Sequence, residues 1–296
     1  MKLMFSMAAA FLLAASGLAL AATNTAELDQ NGVGNSAFAD QTDPSAIDNS
    51  ISQQQTGNLH RADAVQRSEI GSTIYQVQEG DLNNAYTLQQ GGAYNEAGTY
   101  QDGAFNSGTI YQLSSHDSAA WIVQSGFGNQ AQIAQLLGAG NVARIEQRGQ
   151  VHEAFIGQNA SFDSDAFIYQ QGTGNEAQVA QSGSGHFSNI SQHGSFNRAH
   201  TSQTGMYNEV DILQSGFANK THVVQVDWGS SARIHQDGFA NNANVMQSGT
   251  FGFGGGHLAI ISQSGSLNDA TVIQSGFSES AIITQSGNGN TAIVVQ

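Results

Sequence analysis

Polar and apolar side chains alternate with a period of two in short blocks along most of this chain. The closing block, residues 290–296, reads NTAIVVQ and places Asn290, Ala292, Val294 and Gln296 on one face. Successive side chains of a strand point to opposite faces, so this alternation predicts a β-strand. A helix is disfavoured because the apolar positions lack three-to-four spacing.

The same block returns in an eleven-residue frame from Gln30 to Gln296. Each unit begins with Gln, has Gly two residues later, Asn or a substitute five residues later, and Ala two beyond that, as in QSGFGNQAQIA from Gln124. About 23 such units follow one another without a linker, which indicates a repeat architecture.

Insertions separate each unit into two parts. The segment from Gln to the Asn position is one residue longer after Gln112, Gln135 and Gln158, and five residues longer after Gln247. The segment from the Asn position to the next Gln keeps its length in these units. Because connecting segments tolerate insertion, the Asn-to-Gln segment is predicted to be a strand and the Gly-containing segment an arc.

These units predict an all-β fold class, a β-solenoid of stacked strand–arc–strand coils with two parallel sheets. Two units make one coil, and each strand pairs with its equivalent two units away. One unit cannot fold alone, because ordering each residue costs about 1–2 kcal/mol and one buried Ile or Val returns about 1.5–3 kcal/mol. Stacked Asn and Gln amides both donate and accept, so they should form ladders beside a thin Ile and Val core. About 11 or 12 coils would make a rod of about 50–60 Å.

The composition narrows the chemistry. The 296 residues include 35 Gly, one Pro and no Cys, which excludes disulfides and thiolate metal sites. Lys and Arg total 8 against 23 Asp and Glu, for a net charge of -15. Nucleic-acid binding needs clustered basic residues, so no nucleic acid is required as a partner. No cofactor is expected.

The first residues have the pattern of a targeting signal. Lys2 precedes an apolar run that ends in Ala19-Leu20-Ala21, as in a secretory signal peptide. A membrane anchor is the alternative, but the run is short for a span of about 20 residues. We therefore expect a signal peptide at residues 1–21, a short segment at 22–29 and the repeat at 30–296, without a membrane span after signal removal.

Histidines and one Glu occupy the Asn position. These are His60, His152, His186, His257 and Glu279. The histidines suggest either a metal-binding or pH-sensing column, or simple substitutes that donate and accept a hydrogen bond as Asn does. We favour substitutes because the four are scattered along the rod. A buried carboxylate at Glu279 would be costly unless it is satisfied or protonated.

Acidic residues do not form a catalytic pattern. Asp211, Asp227, Asp237 and Asp269 should face outward or lie in arcs, and acids do not cluster on neighbouring coils. The chain is therefore predicted not to be an enzyme.

Phe recurs at one arc position, at Phe127, Phe217, Phe239 and Phe277. We interpret these rings as covers for the ends of the arcs; an aromatic strip for partners is the alternative.

The motif Q-x-G-x-x-N-x-A-x-x-x-Q resembles the curlin repeat of curli, the functional amyloid fibres of Gram-negative bacteria. The stretch QNGVGNSAFADQTDPSAIDNSISQ from Gln30 resembles one curlin strand–arc–strand unit with its Asp-containing connector. This resemblance covers nearly the whole chain after the signal. It implies a subunit secreted through the periplasm and a dedicated outer-membrane pore, which polymerises at the cell surface into cross-β amyloid fibres of the biofilm matrix that serve adhesion and aggregation.

The resemblance also implies partners and site residues. The partners are further copies of the chain, the secretion pore, and a nucleator or a major subunit, since either role stays open for this chain. Growth would proceed by templated end-to-end strand addition. The alternative function is a non-polymerising β-solenoid adhesin or a polysaccharide-acting enzyme. The implied ladder and assembly residues are Gln30, Asn35, Gln41, Gln124, Asn129, Gln135, Asn268, Gln274, Gln285, Asn290 and Gln296.

Overall fold

The computed structural model describes residues 23–249 and 255–296, and these form a two-sheet β-solenoid. Each sheet has 12 parallel strands, with odd-numbered strands in one sheet and even-numbered strands in the other. The predicted fold class is therefore confirmed. One odd and one even strand make a coil, so the described chain has twelve coils.

The strands have the following bounds. The odd sheet contains β1 (Thr25–Val33), β3 (Ser50–Asn58), β5 (Thr73–Asp81), β7 (Glu96–Ala104), β9 (Ala119–Phe127), β11 (Val142–Gln150), β13 (Asp165–Thr173), β15 (Phe187–Ser195), β17 (Glu209–Phe217), β19 (Ser231–Phe239), β21 (Leu258–Ser266) and β23 (Ser280–Asn288). The even sheet contains β2 (Ser36–Asp40), β4 (Arg61–Arg67), β6 (Asn84–Gln90), β8 (Ser107–Leu113), β10 (Gln130–Leu136), β12 (Glu153–Phe162), β14 (Glu176–Ser184), β16 (Arg198–Met206), β18 (Lys220–Trp228), β20 (Asn242–Gly249), β22 (Asp269–Gly276) and β24 (Thr291–Val295).

The N-terminal boundary of the stack differs from the expected division. β1 begins at Thr25 and pairs with β3, so residues 25–29 belong to the first strand and not to a separate segment. The expected signal peptide, residues 1–21, lies outside the described residues. Within the described ranges, no helix is long and apolar enough to cross a membrane.

Strands stack in register, so equivalent residues form columns along the rod. Between β7 and β9, Gln101 lies opposite Gln124 and Gly103 lies opposite Gly126. In most strands, as in β9, alternate residues are buried and the intervening ones are partly or fully exposed, as the period of two predicts. Val65 in β4 and Gly98 in β7 are buried on the outer face. The inward face is therefore the Asn–Ala–Ile/Val–Gln face.

The core between the sheets changes character along the rod. From Ile122 to Ile283, the column of the odd sheet two residues before each Gln is apolar and buried. Near the N-terminus the same column holds the buried polar residues Gln53, Gln76 and Thr99. Gln53 donates to Gln76 at 2.7 Å, which adds a short third amide ladder. The expected Ile and Val core is thus interrupted in the second to fourth coils.

The Gly of each unit allows the coils to approach closely. Gly103 has a φ of 107°, and a Cβ there would lie 2.2 Å from the carbonyl oxygen of Gly126. L-amino acids rarely adopt such a φ. Asn106 Nδ2 donates to that same carbonyl oxygen at 3.1 Å. The Gly and Asn positions of the repeat therefore act together, one allowing the close contact and the other satisfying the carbonyl.

The two long edges of the rod differ. After every odd strand the arc has one length, with eleven residues from Gln to Gln, as from Gln101 to Gln112. Every longer spacing from Gln to Gln follows an even strand, and the longest, from Gln247 to Gln263, includes residues 250–254, which lie outside the described residues. We call these two edges the uniform edge and the variable edge. Successive units alternate between the two sheets, and this alternation determines on which edge each longer segment lies.

Bulky residues hold positive φ angles on the uniform edge. Leu59, Phe105 and Phe196 have φ of 56°, 59° and 56° at the position four residues after Gln. The left-handed region costs an L-residue about 1–2 kcal/mol. Gly128 and Gly174 fill the same position in other coils, so the fold itself does not require a large side chain there.

Candidate assembly interface

Two Gln ladders run through the interior, one beside each sheet. In the odd sheet, Gln101 Nε2 donates to Gln124 Oε1 at 2.8 Å, and Gln124 Nε2 donates to Gln147 Oε1 at 2.9 Å. In the even sheet, Gln112 donates to Gln135 in the same way at 2.8 Å. Every such bond runs from the N-terminal coil to the C-terminal coil, from Gln30 to Gln285 in one ladder and from Gln41 to Gln296 in the other.

From Gln55 onward, the second N–H of each ladder Gln donates to a carbonyl oxygen across the core. Gln124 Nε2 also donates to the carbonyl oxygen of Ser107 at 3.0 Å, and Gln135 Nε2 to that of Ala119 at 3.0 Å. Each Gln therefore links neighbouring coils and both sheets. Buried amides need such partners, because an unpaired buried polar group costs about 1–3 kcal/mol.

The Asn column has the opposite polarity. Asn106 Oδ1 accepts from the backbone N–H of Asn129 at 3.1 Å and from Asn129 Nδ2 at 3.0 Å. Asn268 Oδ1 likewise accepts from the N–H and the side chain of Asn290 at 3.1 and 2.9 Å. In these bonds to the Asn Oδ1 atoms the C-terminal coil donates and the N-terminal coil accepts, whereas the bond from Asn Nδ2 to the Gly carbonyl runs the other way.

The predicted site residues fall in four coils. Gln30, Asn35 and Gln41 belong to the first coil. Gln124, Asn129 and Gln135 belong to the fifth coil, which is formed by β9 and β10. Asn268 and Gln274 lie in the eleventh coil, and Gln285, Asn290 and Gln296 in the twelfth. All eleven lie in the inward columns, so the structure aligns them along the axis and does not gather them at one place.

Both ends of the described rod leave inward groups without a stacking partner. At the N-terminal end Leu28, an inward residue, is 44% exposed. At the other end Gln285 Nε2 donates only to Asp269 O, and Gln296 Nε2 only to Ser280 O, so each amide retains one N–H. Within the described residues, Gln30 Oε1 has no donor. One end therefore presents Gln donors and the other presents Gln acceptors.

Three of the histidines substitute for Asn, as expected. His152 Nδ1 accepts from the backbone N–H of Asn175 at 3.2 Å, and His152 Nε2 lies 3.1 Å from the carbonyl oxygen of Arg148. His60 and His186 make the equivalent contacts. Because Nδ1 accepts, the proton of the neutral ring belongs on Nε2.

Acid should weaken the fold through His152 and His186. Burial lowers the pKa of both imidazoles below the usual 6.5. As pH falls from 6.5 toward these lowered values, the unfolded chain binds more protons than the folded chain, so the free energy of unfolding decreases. Replacing both with Asn should reduce this loss, as measured by denaturant unfolding across that range. The exposed His235→Asn variant is the control, and an equal reduction in it would contradict the assignment.

His257 has a different environment, which sequence reasoning did not foresee. Its Nδ1 accepts from the backbone N–H of Glu279 at 3.3 Å, as in the other three, and Glu279 Oε2 also lies 3.1 Å from this nitrogen. Its Nε2, however, has no hydrogen-bond partner in the described residues and lies 3.7 Å from Asp227 Oδ2. The sequence predicts that Asp227 faces outward or lies in an arc, but it lies near the end of β18 and its side chain is fully buried. Burial raises the pKa of Asp227, and hydrogen bonding from Ser230 partly opposes this. The available signal was that Asp227 occupies the Gly position of its unit.

A second buried acid, Glu69, also escaped the sequence analysis. It lies in an arc of the variable edge and accepts from Ser72 Oγ at 2.7 Å and from the backbone N–H of Gly92 at 2.9 Å. Burial raises the pKa of Glu69. Neither buried acid belongs to a group of three or more metal-ligating side chains arranged to hold a metal ion, and the described ranges contain no such group.

Comparison with known families identifies the repeat. The model of the curlin associated repeat matches residues 163–194, 189–216 and 265–296. These segments include β13 to β16 and β22 to β24, with their inward Gln and Asn columns. No curated protein matches the chain.

Proposed function

The chain belongs to the curlin repeat family, and from this premise we propose that it is the secreted structural subunit of a curli-like extracellular amyloid fibre. The repeats suggest a curli-type subunit, and the family with this fold points to a structural protein and not an enzyme. In the proposal, residues 1–21 direct secretion, and the chain passes through the periplasm and an outer-membrane pore. Its fibres form part of a biofilm matrix at the surface of a Gram-negative bacterium and serve adhesion and aggregation.

The observation that carries this proposal is the match between the two open ends. If a second copy continues the register, β23 pairs with its β1 and β24 pairs with its β2. Gln285 then lies opposite Gln30, and Gln296 opposite Gln41. Both terminal coils have the eleven-residue step from Gln to Gln, with Gly289 opposite Gly34. The junction would thus repeat the geometry found between coils inside the rod.

The polarity of the ladders favours one mode of junction. Head to tail, the free N–H groups of Gln285 and Gln296 meet the free Oε1 atoms of Gln30 and Gln41. At the same junction Asn290 Oδ1 meets the backbone N–H of Asn35. Two C-terminal ends would instead bring Gln donors against Gln donors. Head-to-tail contact is heterologous and does not close, so it extends into a filament.

The apolar columns also continue across such a junction. The inward residues Ala281 and Ile283 would cover Ala26 and Leu28 of the next copy. Burial of apolar surface stabilises by about 25 cal/mol per Å², so Leu28, which is 44% exposed in the single chain, would gain from the contact. In this proposal the open strand edges are sites of templated strand addition.

Filament formation by residues 22–296 tests the proposal. We expect the purified chain at neutral pH to form filaments that bind thioflavin and give a meridional reflection at about 4.8 Å. Cryo-electron microscopy should show a subunit repeat of twelve coils, on the order of 60 Å. A soluble monomeric rod that persists for days without thioflavin binding would contradict it.

A further inference from the structure

An apolar ridge follows the uniform edge through ten of the twelve described coils, and we propose that it joins two rods of this protein side by side. In ten of the twelve coils, one large apolar residue occupies one of two adjacent arc positions, three or four residues after Gln. At the fourth position these residues are Leu59, Leu82, Phe105, Val151, Phe196 and Leu267. In four coils with Gly or Ala at that position, the third position holds the large residue, as at Phe127, Phe217 and Phe239. The two coils without a large apolar residue have Thr173 and Gly174, and Asn288 and Gly289.

The backbone makes these side chains unlike ordinary exposed residues. All six residues at the fourth position have a positive φ, between 48° and 59°. Bulky and β-branched residues avoid this region, which suits Gly and Asn. The chain uses Gly there in other coils, including Gly128 and Gly174. Large apolar side chains are therefore placed where the backbone disfavours them, which points to a role outside the folding of one rod.

Packing along the rod uses only part of each side chain. Phe105 and Phe127 have ring centroids 5.2 Å apart, and Phe217 and Phe239 stack at 5.5 Å with an angle of 3°. These contacts agree with the interpretation that the rings cover the arcs. Yet the six residues at the fourth position remain 40–62% exposed. Covering the arcs accounts for about half of their surface and leaves the outer half open to a partner.

The exposed area is large enough for a stable contact. A large apolar side chain has on the order of 200 Å² of surface, so ten that are about half exposed offer on the order of 1,000 Å² along one rod. A standard interface buries about 800 Å² per partner, and contiguous apolar patches larger than a few hundred Å² mark interaction sites. Along a filament the ridge would repeat with every subunit.

Charge and geometry identify the partner as a second copy. The chain has a net charge of -15, yet Asp81 is the one charged residue among the paired arc positions of the twelve described coils. An equally acidic rod can therefore approach along this edge with little like-charge contact. The ridge also has the coil repeat of about 4.8 Å over the whole rod, and a second rod offers the same spacing over the same length.

The variable edge is less suited to this contact. It also exposes apolar residues, such as Tyr94, Leu137 and Tyr207 with φ of 56° each. Its arcs, however, have several lengths, and the two positions before the Asn position hold the acids Asp48, Asp117 and Asp163 on this edge, against Asp81 alone on the uniform edge in the described coils. Two irregular edges of the same sign of charge cannot lie flat against each other, whereas every arc of the uniform edge has one length.

Matched substitutions at positive φ test the inference on residues 22–296. The uniform-edge variant combines Phe105→Asn, Phe196→Asn and Leu267→Asn. The variable-edge control combines Tyr94→Asn, Leu137→Asn and Tyr207→Asn. Asn tolerates this backbone region, so neither set should disturb folding. We expect wild-type and control filaments to be paired or bundled, and the uniform-edge variant to form single filaments with mass per length at least twofold lower and an unchanged elongation rate.

Several results would overturn it. Uniform-edge variant filaments with the wild-type mass per length would do so, as would wild-type filaments that are always single. Loss of pairing in the control alone would assign the contact to the other edge. If no filaments form, the proposal of end-to-end growth is wrong, but the side-by-side contact can still be tested by sedimentation of the soluble rods. The inference then requires wild-type dimers and uniform-edge variant monomers.

Discussion

Replacing Gln285, Asn290 and Gln296 together with Ala is expected to slow filament growth and to raise the critical concentration at least about tenfold. The variant removes two donors and one acceptor from the C-terminal end. Their counterparts at the next copy's first coil, including Gln30 and Gln41, would be buried without partners. Each such group costs about 1–3 kcal/mol, and about 1.4 kcal/mol corresponds to a tenfold change in an equilibrium. Seeded growth followed by thioflavin fluorescence measures both quantities.

The same substitutions in the middle of the rod are the control. Gln124→Ala, Asn129→Ala and Gln135→Ala leave both ends intact but leave Gln101 Nε2 without its ladder acceptor and Gln147 Oε1 without its ladder donor. This variant should lose more stability to denaturant than the end variant, while its ends elongate faster from equal seeds. Equal growth rates for the two variants would show that the terminal ladder groups do not govern assembly.

Gly126→Ala is expected to destabilise the rod by about 4 kcal/mol or more, which is exceptional for one methyl group. The added Cβ would lie 2.0 Å from the carbonyl oxygen of Gly149, and the φ of 118° is one that L-residues rarely adopt. The contact is with backbone that is itself held by the next coil, so no side chain can move to relieve it. Denaturant unfolding of the soluble chain measures the loss.

Gly128→Ala is the matched control two residues away. Its φ is 67°, and its added Cβ would meet only Val151 Cγ1 at 3.4 Å. The left-handed region costs Ala about 1–2 kcal/mol, so this variant should lose much less stability. Similar losses in the two variants would show that backbone conformation, and not the approach of neighbouring coils, determines the need for Gly.

The residues at the Asn position differ in how well the sequence predicts their contacts. His152 could be interpreted as a substitute for Asn from its position alone, because an imidazole and an amide both donate and accept. His257 occupies the same position, but its environment depends on Asp227 and Glu279, each in a different coil. The Asn position alone does not point to Asp227, because Asp227 lies at the Gly position of its own unit. Burial of that carboxylate follows from how the end of β18 packs onto the next coil.

The sequence by itself determined the strands, the arcs and the buried face of this protein. The period of two assigns every strand side chain to one of two faces. With an eleven-residue frame, the most favourable arrangement stacks equivalent residues in register. Only the tertiary structure decided that every longer spacing from Gln to Gln follows an even strand, that the Gln and Asn ladders run in opposite directions, and that ten large apolar residues align along the uniform edge. These features depend on contacts between neighbouring coils and on which sheet each unit enters, and the repeat pattern is the same whichever way those amides point.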